Sequence, residues 1–412
     1  MSKSAYKKEV VDPGDRASKL AHQVNIESYG NCPALTVVPL QPGNFRGAVG
    51  RIWNPDILRM MAETQYDGEG NVSNWRMVET DQNDGAGGKG QFLTLSNKLS
   101  AWRNFGWEII TMTADDLART GCFPAVMINE INVKNINKKN FPIVRAIFQG
   151  YGKALNQAGL VNITGETAVM KHSITAFCDI DSPEQLCVAW GATCLGLAYK
   201  DALIDGSGIR PGLSIVGLLE HGYRCNGGTF FTNLILEKWG PDILQIMMND
   251  EAMRFVEKLT KPSISYAKLI SALVGWRPDG SIGDPAAEIF GIAHITGGGV
   301  WGKLGDLLPE GVGADLGTMP DPLPVFLEAQ KLSLRTSRKL TDVDIYGDLH
   351  GGVGMLIICD DEDVSRIISG AKSMGKVARK VGKTTASPTS EIQIRSRFME
   401  DRWLSSEERE KK

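Results

Sequence analysis

The segment from Gly291 to Gly299, which reads Gly-Ile-Ala-His-Ile-Thr-Gly-Gly-Gly, constrains the fold more than any other part of the chain. Its apolar beginning predicts a strand, and its three glycines allow backbone N–H groups to turn inward around an anion. The next residues, Val300 to Leu308, have the apolar spacing of a short helix, whose N-terminus would attract the same charge. The order predicts a strand, an anion-binding loop and a helix, although a plain tight turn would use similar glycines.

The composition is that of an enzyme rather than a nucleic-acid or membrane protein. The chain has 412 residues, 42% of them hydrophobic and 23% charged, and a net charge of -3. This length suffices for two domains, and the scattered basic residues favour a small-molecule partner over nucleic acid. No run approaches the roughly 18 apolar residues of a membrane span. The seven cysteines form no CxxC pair, so we expect neither a zinc site nor disulfides, and a cytoplasmic location.

A second glycine loop lies in the first half of the chain. A β-branched run from Met77 leads through acidic residues into Asp84-Gly85-Ala86-Gly87-Gly88-Lys89. Carboxylates suit a metal ion, and a lysine ammonium suits a phosphate. The Walker pattern G-x-x-x-x-G-K-[ST] is not met. From the spacing alone, a nucleotide site and a glycine turn with solvated charges both remain open.

Further acidic residues fall on predicted regular elements. Asp115 and Asp116 lie on a helix predicted between Trp107 and Gly121, and adjacent helical residues point about 100° apart. At most one of them therefore faces a given metal ion, and both would be solvated if the helix face were exposed. Glu166 follows a strand predicted over 160–163, beside Gly165, where a carboxylate is a suitable metal or nucleotide ligand.

The remaining chain suggests the domain organisation. A polar crossing near Gly208 marks a boundary, so we predict an arm at 1–30, an N-terminal domain at 31–205, a C-terminal domain at 206–383 and a polar tail at 384–412. The arm is predicted to be either flexible or a lead-in helix. The β-rich segment from Ala34 to Leu40 is expected at a sheet edge or a subunit interface.

These motifs, in their order, resemble the aminoimidazole ribonucleotide synthetase (phosphoribosylformylglycinamidine cyclo-ligase) family. The segment from Gly291 to Gly299, followed by Leu308-Pro309, is similar to the family motif A-H-(I/L)-T-G-G-G…L-P. Residues 84–89 are similar to the motif D-G-V-G-T-K, and residues 164–168 are similar to the motif G-G-E-T-A. The resemblance covers roughly residues 30 to 375. It implies an α/β (α+β) two-domain PurM-like fold, with an N-terminal ATP-binding domain whose strands form a β-barrel in a homodimer, and a C-terminal α/β domain.

The resemblance also implies site residues. ATP and Mg²⁺ would be bound by Asp84, Gly85, Lys89, Asp116, Glu166 and Thr167, with Asp84, Asp116 and Glu166 as the metal ligands. A ribonucleotide substrate would be bound by Arg224, Asn226, Gly227, Thr296, Gly297, Gly298 and Gly299. The catalytic residues would be His294, Asp116 and Lys89.

The chain departs from the family pattern mainly on the substrate side. The family's residues are replaced at Asn129 (Asp), Arg224 (His), Cys225 (Ser), Lys303 (Asn), Asp306 (Arg) and Leu349-His350 (Phe-Asn), and a G-G-F-G-G loop has no counterpart near 42–50. Three functions follow: the cyclo-ligase, a relative that phosphorylates a different amide, acid or selenide, and a catalytically silent homologue. The retained ATP-side acids and Lys89 count against the third.

Overall fold

The computed structural model describes residues 12–39 and 48–410. The described chain divides into two compact units. Unit 1 comprises the residues up to Ala118, Cys122–Leu203 and Trp276–Gly283, and unit 2 comprises Arg119–Gly121, Ile204–Gly275 and the residues from Asp284 onward.

Unit 1 contains three small sheets and six helices among its described residues. Its strands are β1 Leu35–Pro39, β2 Ala48–Trp53, β3 Gln65–Tyr66, β4 Val72–Asn74, β5 Met77–Gly85, β6 Phe123–Val133, β7 Val161–Val169 and β8 Val188–Tyr199. Its helices are α1 Asp12–Ser28, α2 Pro55–Ala62, α3 Lys89–Ser96, α4 Leu99–Trp102, α5 Phe105–Ala118 and α6 Phe141–Ala158.

The main sheet of unit 1 has the order β5-β8-β6-β7. β8 runs antiparallel to β5 and β6, while β6 and β7 are parallel. Helix α5 packs on β5 and β8, and α1 and α6 pack together beside β7. A buried series of edge-to-face rings joins this layer to the sheet, with centroids 5.3 Å apart for Phe105 and Trp190 and 5.0 Å for Tyr151 and Trp190. These contacts fix the strands that carry the acidic residues.

Unit 2 is built on a larger sheet. Its strands are β9 Ser214–Leu219, β10 Ile289–His294, β11 Val312–Leu316, β12 Val353–Cys359, β13 Ala378–Ala386, β14 Ile392–Arg395 and β15 Trp403–Ser405. Its helices are α7 Gly228–Trp239, α8 Ile243–Met248, α9 Asp250–Leu259, α10 Ala267–Leu273, α11 Gly299–Gly305, α12 Pro324–Ser333, α13 Asp342–Gly347, α14 Val364–Ser373 and α15 Ser406–Glu410.

The seven strands of unit 2 follow the order β10-β12-β9-β13-β11-β14-β15. All neighbours are antiparallel except β11 and β14. The strand β12, which lies between β10 and β9, is buried along its whole length, as expected for a strand covered on both faces. Because β9 and β10 both pair with β12, the loops that follow them leave the sheet near each other.

The mixed α/β fold class is confirmed, and the structure extends or corrects two local predictions and agrees with two others. The predicted strand at 160–163 continues as β7 through Glu166 to Val169. The predicted polar tail instead supplies β14 and β15 to the sheet of unit 2. Of the two forms predicted for the arm, the described residues show the helix, at 12–28, where it packs on β7 and α6. The segment predicted over 34–40 forms β1, with Leu40 outside the described residues, as is most of the loop at 42–50.

The predicted strand, loop and helix at the central motif are confirmed as β10, the glycine turn and α11. None of the helices in the described part of the chain is long and apolar enough to cross a membrane.

Candidate functional site

The glycine loop of unit 1 connects β5 to α3. Asp84 is exposed at the end of β5, where its Oδ1 accepts a hydrogen bond from the Gly85 N–H at 2.7 Å. Lys89 opens α3, and its Nζ lies 3.4 Å from Glu108 Oε1, with each side chain only 1% exposed. The lysine ammonium therefore lies against a buried carboxylate that the sequence motif did not include.

The sheet register separates two of the predicted metal ligands. Asp84 pairs with Ala192 of β8, which pairs with Asn129 of β6, which pairs with Gly165 of β7. Paired residues share a sheet face and consecutive residues alternate, so Asp84 and Glu166 point to opposite faces. Three strand spacings also place their backbones about 14 Å apart. Within one chain, these two carboxylates do not bind the same ion, which corrects the metal set proposed from the resemblance.

Glu166 forms a carboxylate pair with Glu130, a residue that was not predicted from the sequence. In the parallel register Glu166 of β7 is the partner of Glu130 on β6, and both are exposed. Like charges directly opposite one another in a sheet repel. Asn132 donates to Glu130 Oε1 at 2.8 Å and offsets part of this repulsion. When phosphates supply the other ligands, Mg²⁺ is commonly bound by one or two carboxylates of the protein, and this pair provides two.

No complete metal cage accompanies this pair. Within residues 12–39 and 48–410, no three His, Cys, Asp or Glu side chains come together in a way that would hold a metal ion. On α5, Asp115 is fully buried and Asp116 is half-buried. Asp116 therefore offers the more accessible carboxylate of the two, as the spacing of adjacent helical residues requires.

Asn129, where the family has Asp, belongs to a buried hydrogen-bond network. Its Oδ1 accepts from Trp190 Nε1 at 3.1 Å, and its Nδ2 donates to Asn162 Oδ1 at 2.9 Å. Tyr151 also donates to Asn162 Oδ1, at 2.8 Å. An ionised aspartate would lack the donor that this arrangement uses. The substitution therefore fits a structural role for residue 129.

In unit 2 the loop that contains Gly227 and the loop that contains Gly298 lie beside one cavity. Gly227 precedes α7 with φ 87°, and Gly298 precedes α11 with φ 93°. Both values lie in the left-handed region that glycine adopts without strain. The two glycines line one cavity of about 230 Å³ together with Thr229, Phe230, Arg338, Leu340, Asp348 and Leu349. The structure thus brings together loops that are about 70 residues apart in the sequence.

The other predicted substrate residues lie close to these loops. Thr296 is half-buried and Gly297 is exposed. A Cβ on Gly297 would lie 3.6 Å from Asn226 Oδ1, so the Asn226 side chain approaches the second loop. Asn226 Nδ2 is buried, with no hydrogen-bond partner among the residues that the structure describes. It is a donor that a ligand oxygen would satisfy.

Arg224 does not line the cavity. Its side chain is 1% exposed, and Nη1 donates to Glu220 Oε1 at 2.7 Å. Its Nη2 lies 2.9 Å from Nε2 of His294, which is 2% exposed. A guanidinium has only donors. His294 Nε2 is therefore the acceptor, and the proton of the neutral ring is on Nδ1.

His350, which stands where the family has Asn, is also held by contacts within the protein. His350 Nδ1 accepts from the Gly352 N–H at 3.2 Å, so Nε2 carries the proton and donates to the Gly222 carbonyl at 2.9 Å. The ring packs edge-to-face on Phe326 with centroids 4.9 Å apart. His350 therefore braces the loop after β9. On α11, Lys303 is half-buried, and the following Asp306 is exposed.

The cysteines take no part in these sites as nucleophiles. All seven are free and buried. Burial raises the pKa of the Cys32 thiol to about 11 and that of Cys359 to about 12. Such thiols are protonated near neutral pH and unreactive.

Sequence reasoning missed Glu108, Glu130, Arg338 and Asp348. Only Glu130 carried a detectable signal, as an acidic residue in the apolar strand β6. The other three depend on contacts between distant segments.

Comparisons with known proteins identify the family of this chain. Residues 82–182 match the N-terminal domain of the AIR synthase related protein family, and residues 282–395 match its C-terminal domain. A phosphoribosylformylglycinamidine cyclo-ligase from Methanocaldococcus jannaschii is 26% identical over 307 residues, covering 74% of this chain and 77% of the relative. One from Bacillus cereus is 26% identical over 321 residues, covering 77% and 84%.

Solved structures support the fold. E. coli HypE aligns with a TM-score of 0.53 at 14% identity, covering 94% of this chain and 96% of HypE. The hydrogenase maturation protein HypE in complex with ATP aligns with a TM-score of 0.51 at 14% identity, covering 85% and 89%. Since both halves match the two domains of one family in the family's order, the chain belongs to the AIR synthase related protein family and has the PurM-like fold.

Proposed function

We propose that this protein is an ATP-dependent cyclo-ligase that converts formylglycinamidine ribonucleotide to aminoimidazole ribonucleotide, with ADP and phosphate as the other products. The observation that carries the proposal is the cavity of unit 2, which is lined by both Gly227 and Gly298, from the two loops expected to bind substrate. The name shared by the curated relatives, which align over about three quarters of the chain, supports the same reaction.

Unit 1 would bind ATP and Mg²⁺. The loop from Asp84 to Lys89 offers backbone N–H groups and a carboxylate. The Glu130 and Glu166 pair on β6 and β7 fits a hydrated Mg²⁺ that also binds phosphate oxygens. The ion would neutralise charge on the phosphates during transfer. Asp116 lies on α5, which packs on the face of the sheet that carries Asn129, opposite to Glu130 and Glu166. It is therefore proposed to act beside Asp84, on its own face of the sheet, and not at the Glu130 and Glu166 pair.

In the proposed reaction the formyl oxygen of the substrate takes the terminal phosphoryl group of ATP. An amidine nitrogen then attacks the activated carbon, the C–O bond breaks, and inorganic phosphate leaves as the ring closes. The chain's own contribution would be to position both reactants and to stabilise charge on oxygen with fixed donors. The N–H groups of the glycine loop after β10 and the amide of Asn226 are suitable donors.

A second candidate is phosphorylation of a different small amide or acid, without ring closure. The observation that favours it is the contact between Arg224 and His294. The Nε2 lone pair of His294 is already occupied by a guanidinium within the protein. If the ring-closure step needed that nitrogen as a proton acceptor, this chain would lack it, whereas phosphoryl transfer alone would not be affected.

We further propose that the protein is a cytoplasmic homodimer. Free, buried cysteines suit a reducing compartment. The small sheet formed by β1 and β2 has two strand edges whose backbone groups can pair with another strand, and a second copy of the chain would provide that strand.

The test is a turnover assay with ATP and formylglycinamidine ribonucleotide, in which the imidazole product is detected as a coloured amine and ATP hydrolysis is followed in parallel. We expect product formation that is lost in Asp116→Asn and His294→Ala. Hydrolysis stimulated by another amide or acid, with no imidazole product, would replace the proposal with the second candidate. ATP binding without turnover of any substrate would indicate a catalytically silent homologue.

A further inference from the structure

The cavity of unit 2 is lined by an ion pair that no sequence motif indicated. Arg338 and Asp348 both line it, and Arg338 Nη2 donates to Asp348 Oδ2 at 3.0 Å. Their side chains are 62% and 53% exposed. An ion pair this exposed adds little to stability. A ligand can therefore exchange with one partner at small cost to the fold.

The backbone that carries Arg338 is held in place. Thr336 Oγ1 donates to the Arg338 carbonyl at 3.0 Å. Ser337 donates from N–H and Oγ to Glu237 at 2.7 and 2.6 Å. Glu237 lies on α7, the helix that begins beside the cavity at Gly228. Since the loop is fixed on α7, exchange of partners needs only rotation of the Arg338 side chain.

The guanidinium also has a second support at the cavity. Its Cζ lies 5.8 Å from the ring centroid of Phe230, which is itself a lining residue. This is within the range of a cation–π contact. The ring can hold the cation over the cavity after Asp348 is displaced.

The charges of the residues that line the cavity indicate which class of ligand it binds. Among the residues that line the cavity, Arg338 is the cation and Asp348 the anion, while the glycines contribute uncharged N–H groups. A guanidinium binds carboxylate and phosphate with paired N–H donors. The volume of about 230 Å³ is below that of a typical site for a whole small molecule, so it suits the charged end of a substrate.

We propose that Arg338 is the phosphate-binding residue of this cavity, and that Asp348 is an internal counter-ion which a phosphomonoester replaces. The inference rests on the proposed function to the extent that a ribonucleotide supplies that phosphomonoester. It also accounts for Asp306, which stands where the related family has an arginine. The cation is then provided from a different segment of unit 2.

The experiment measures binding of ribose 5-phosphate and of inorganic phosphate to the full chain by calorimetry, without ATP. Arg338→Ala is expected to weaken ribose 5-phosphate binding roughly 10-fold or more, since a charged hydrogen bond is lost. Asp348→Asn is expected to tighten binding several-fold, because it removes the competing carboxylate. Lys339→Ala, which removes the same charge from the adjacent exposed residue, should change the affinity less than about twofold.

Three results would overturn the inference. They are equal losses in Arg338→Ala and Lys339→Ala, unchanged or weaker binding in Asp348→Asn, and no binding of either probe by the unaltered protein at millimolar concentration. Thermal unfolding of each variant verifies that these exposed substitutions leave the fold intact.

The same variants separate this inference from the proposed function. If ribose 5-phosphate binding follows Arg338 while the unaltered enzyme makes no imidazole product, the anion site stands and the cyclo-ligase proposal fails. If turnover occurs with an unchanged KM for the ribonucleotide in Arg338→Ala, the reaction stands and the anion site is refuted.

Discussion

Arg224 Nη2 lies 2.9 Å from His294 Nε2, and this contact joins the ends of two strands inside unit 2. Arg224 follows β9 and His294 ends β10, so the contact links the two loops at their bases. The backbone of Arg224 has φ 64°, in the left-handed region that non-glycine residues rarely adopt. The contacts of its buried side chain with Glu220 and His294 stabilise the backbone in that conformation. The pair positions the glycines of the cavity rather than touching a ligand there.

The first prediction concerns this contact. Arg224→Ala should lower the free energy of unfolding by about 3 to 5 kcal/mol, because the buried Glu220 carboxylate loses its cation. Urea denaturation measures the loss, and Arg335→Ala, an exposed arginine, is the matched control. In the unaltered protein, ¹⁵N NMR of the His294 ring should show Nδ1 protonated and Nε2 bare. A protonated Nε2 would contradict the assignment.

The second prediction concerns the buried pair of Lys89 and Glu108 in unit 1. Lys89→Met and Glu108→Gln should each destabilise the protein by about 3 to 5 kcal/mol, since each leaves a buried charge without its partner. Replacing both, by Met and Leu, should recover most of that stability.

ATP affinity separates the two roles of Lys89. If it also contacts phosphate, the double variant should bind ATP more weakly by on the order of 1.5 to 3 kcal/mol although its stability is restored. Unchanged ATP affinity in that variant would assign Lys89 a purely structural role.

The third prediction concerns Gly299, the first residue of α11. At Gly299 φ is 62°, and a Cβ would lie 2.6 Å from the Gly347 carbonyl carbon. Gly299→Ala should therefore lower the free energy of unfolding by about 1 to 2 kcal/mol because of the left-handed backbone, and by a further 1 to 3 kcal/mol because of the steric overlap. Gly297→Ala is the matched control, since its nearest neighbour would be 3.6 Å away. Equal stabilities of the two variants in thermal unfolding would show that the turn is not built as described.

The fourth prediction concerns Mg²⁺ at Glu130 and Glu166. Removing Mg²⁺ with a chelator should weaken ATP binding, because the two carboxylates then repel both each other and the phosphates. Glu166→Gln should raise the Mg²⁺ concentration needed for half-maximal ATP binding, whereas Glu69→Gln, in an exposed loop of the same unit, should not. A response in both variants, or in neither, would argue against this pair as the ion's ligands.

The fifth prediction is a homodimer at micromolar concentration. β1 pairs only with β2 within the described residues, and Ile52 of β2 is 54% exposed although it is apolar. An apolar strand with an open edge is stabilised when a second copy covers it. Sedimentation velocity checks the mass, and Ile52→Lys should shift the equilibrium toward monomer. A monomeric unaltered protein at that concentration would refute the proposal.

Part of this arrangement is determined by local sequence. The strand, glycine turn and helix around His294 follow from apolar spacing and from glycines at positions where φ is positive, as at Gly298 and Gly299. Such features involve neighbouring residues only, so the sequence can specify them without knowledge of the fold. For the same reason, the helix carrying Asp115 and Asp116 was located correctly, as α5.

The tertiary structure decided what each charged side chain meets. The resemblance to the cyclo-ligase family implied that Asp84 and Glu166 share an ion, but the register of four strands puts them on opposite faces. The resemblance also implied that Arg224 binds substrate, whereas packing turns that side chain inward to Glu220. Arg338 reaches the cavity from a segment more than 100 residues beyond Gly227. Strand register and long-range packing set these contacts, because burial energy is gained only when distant segments meet.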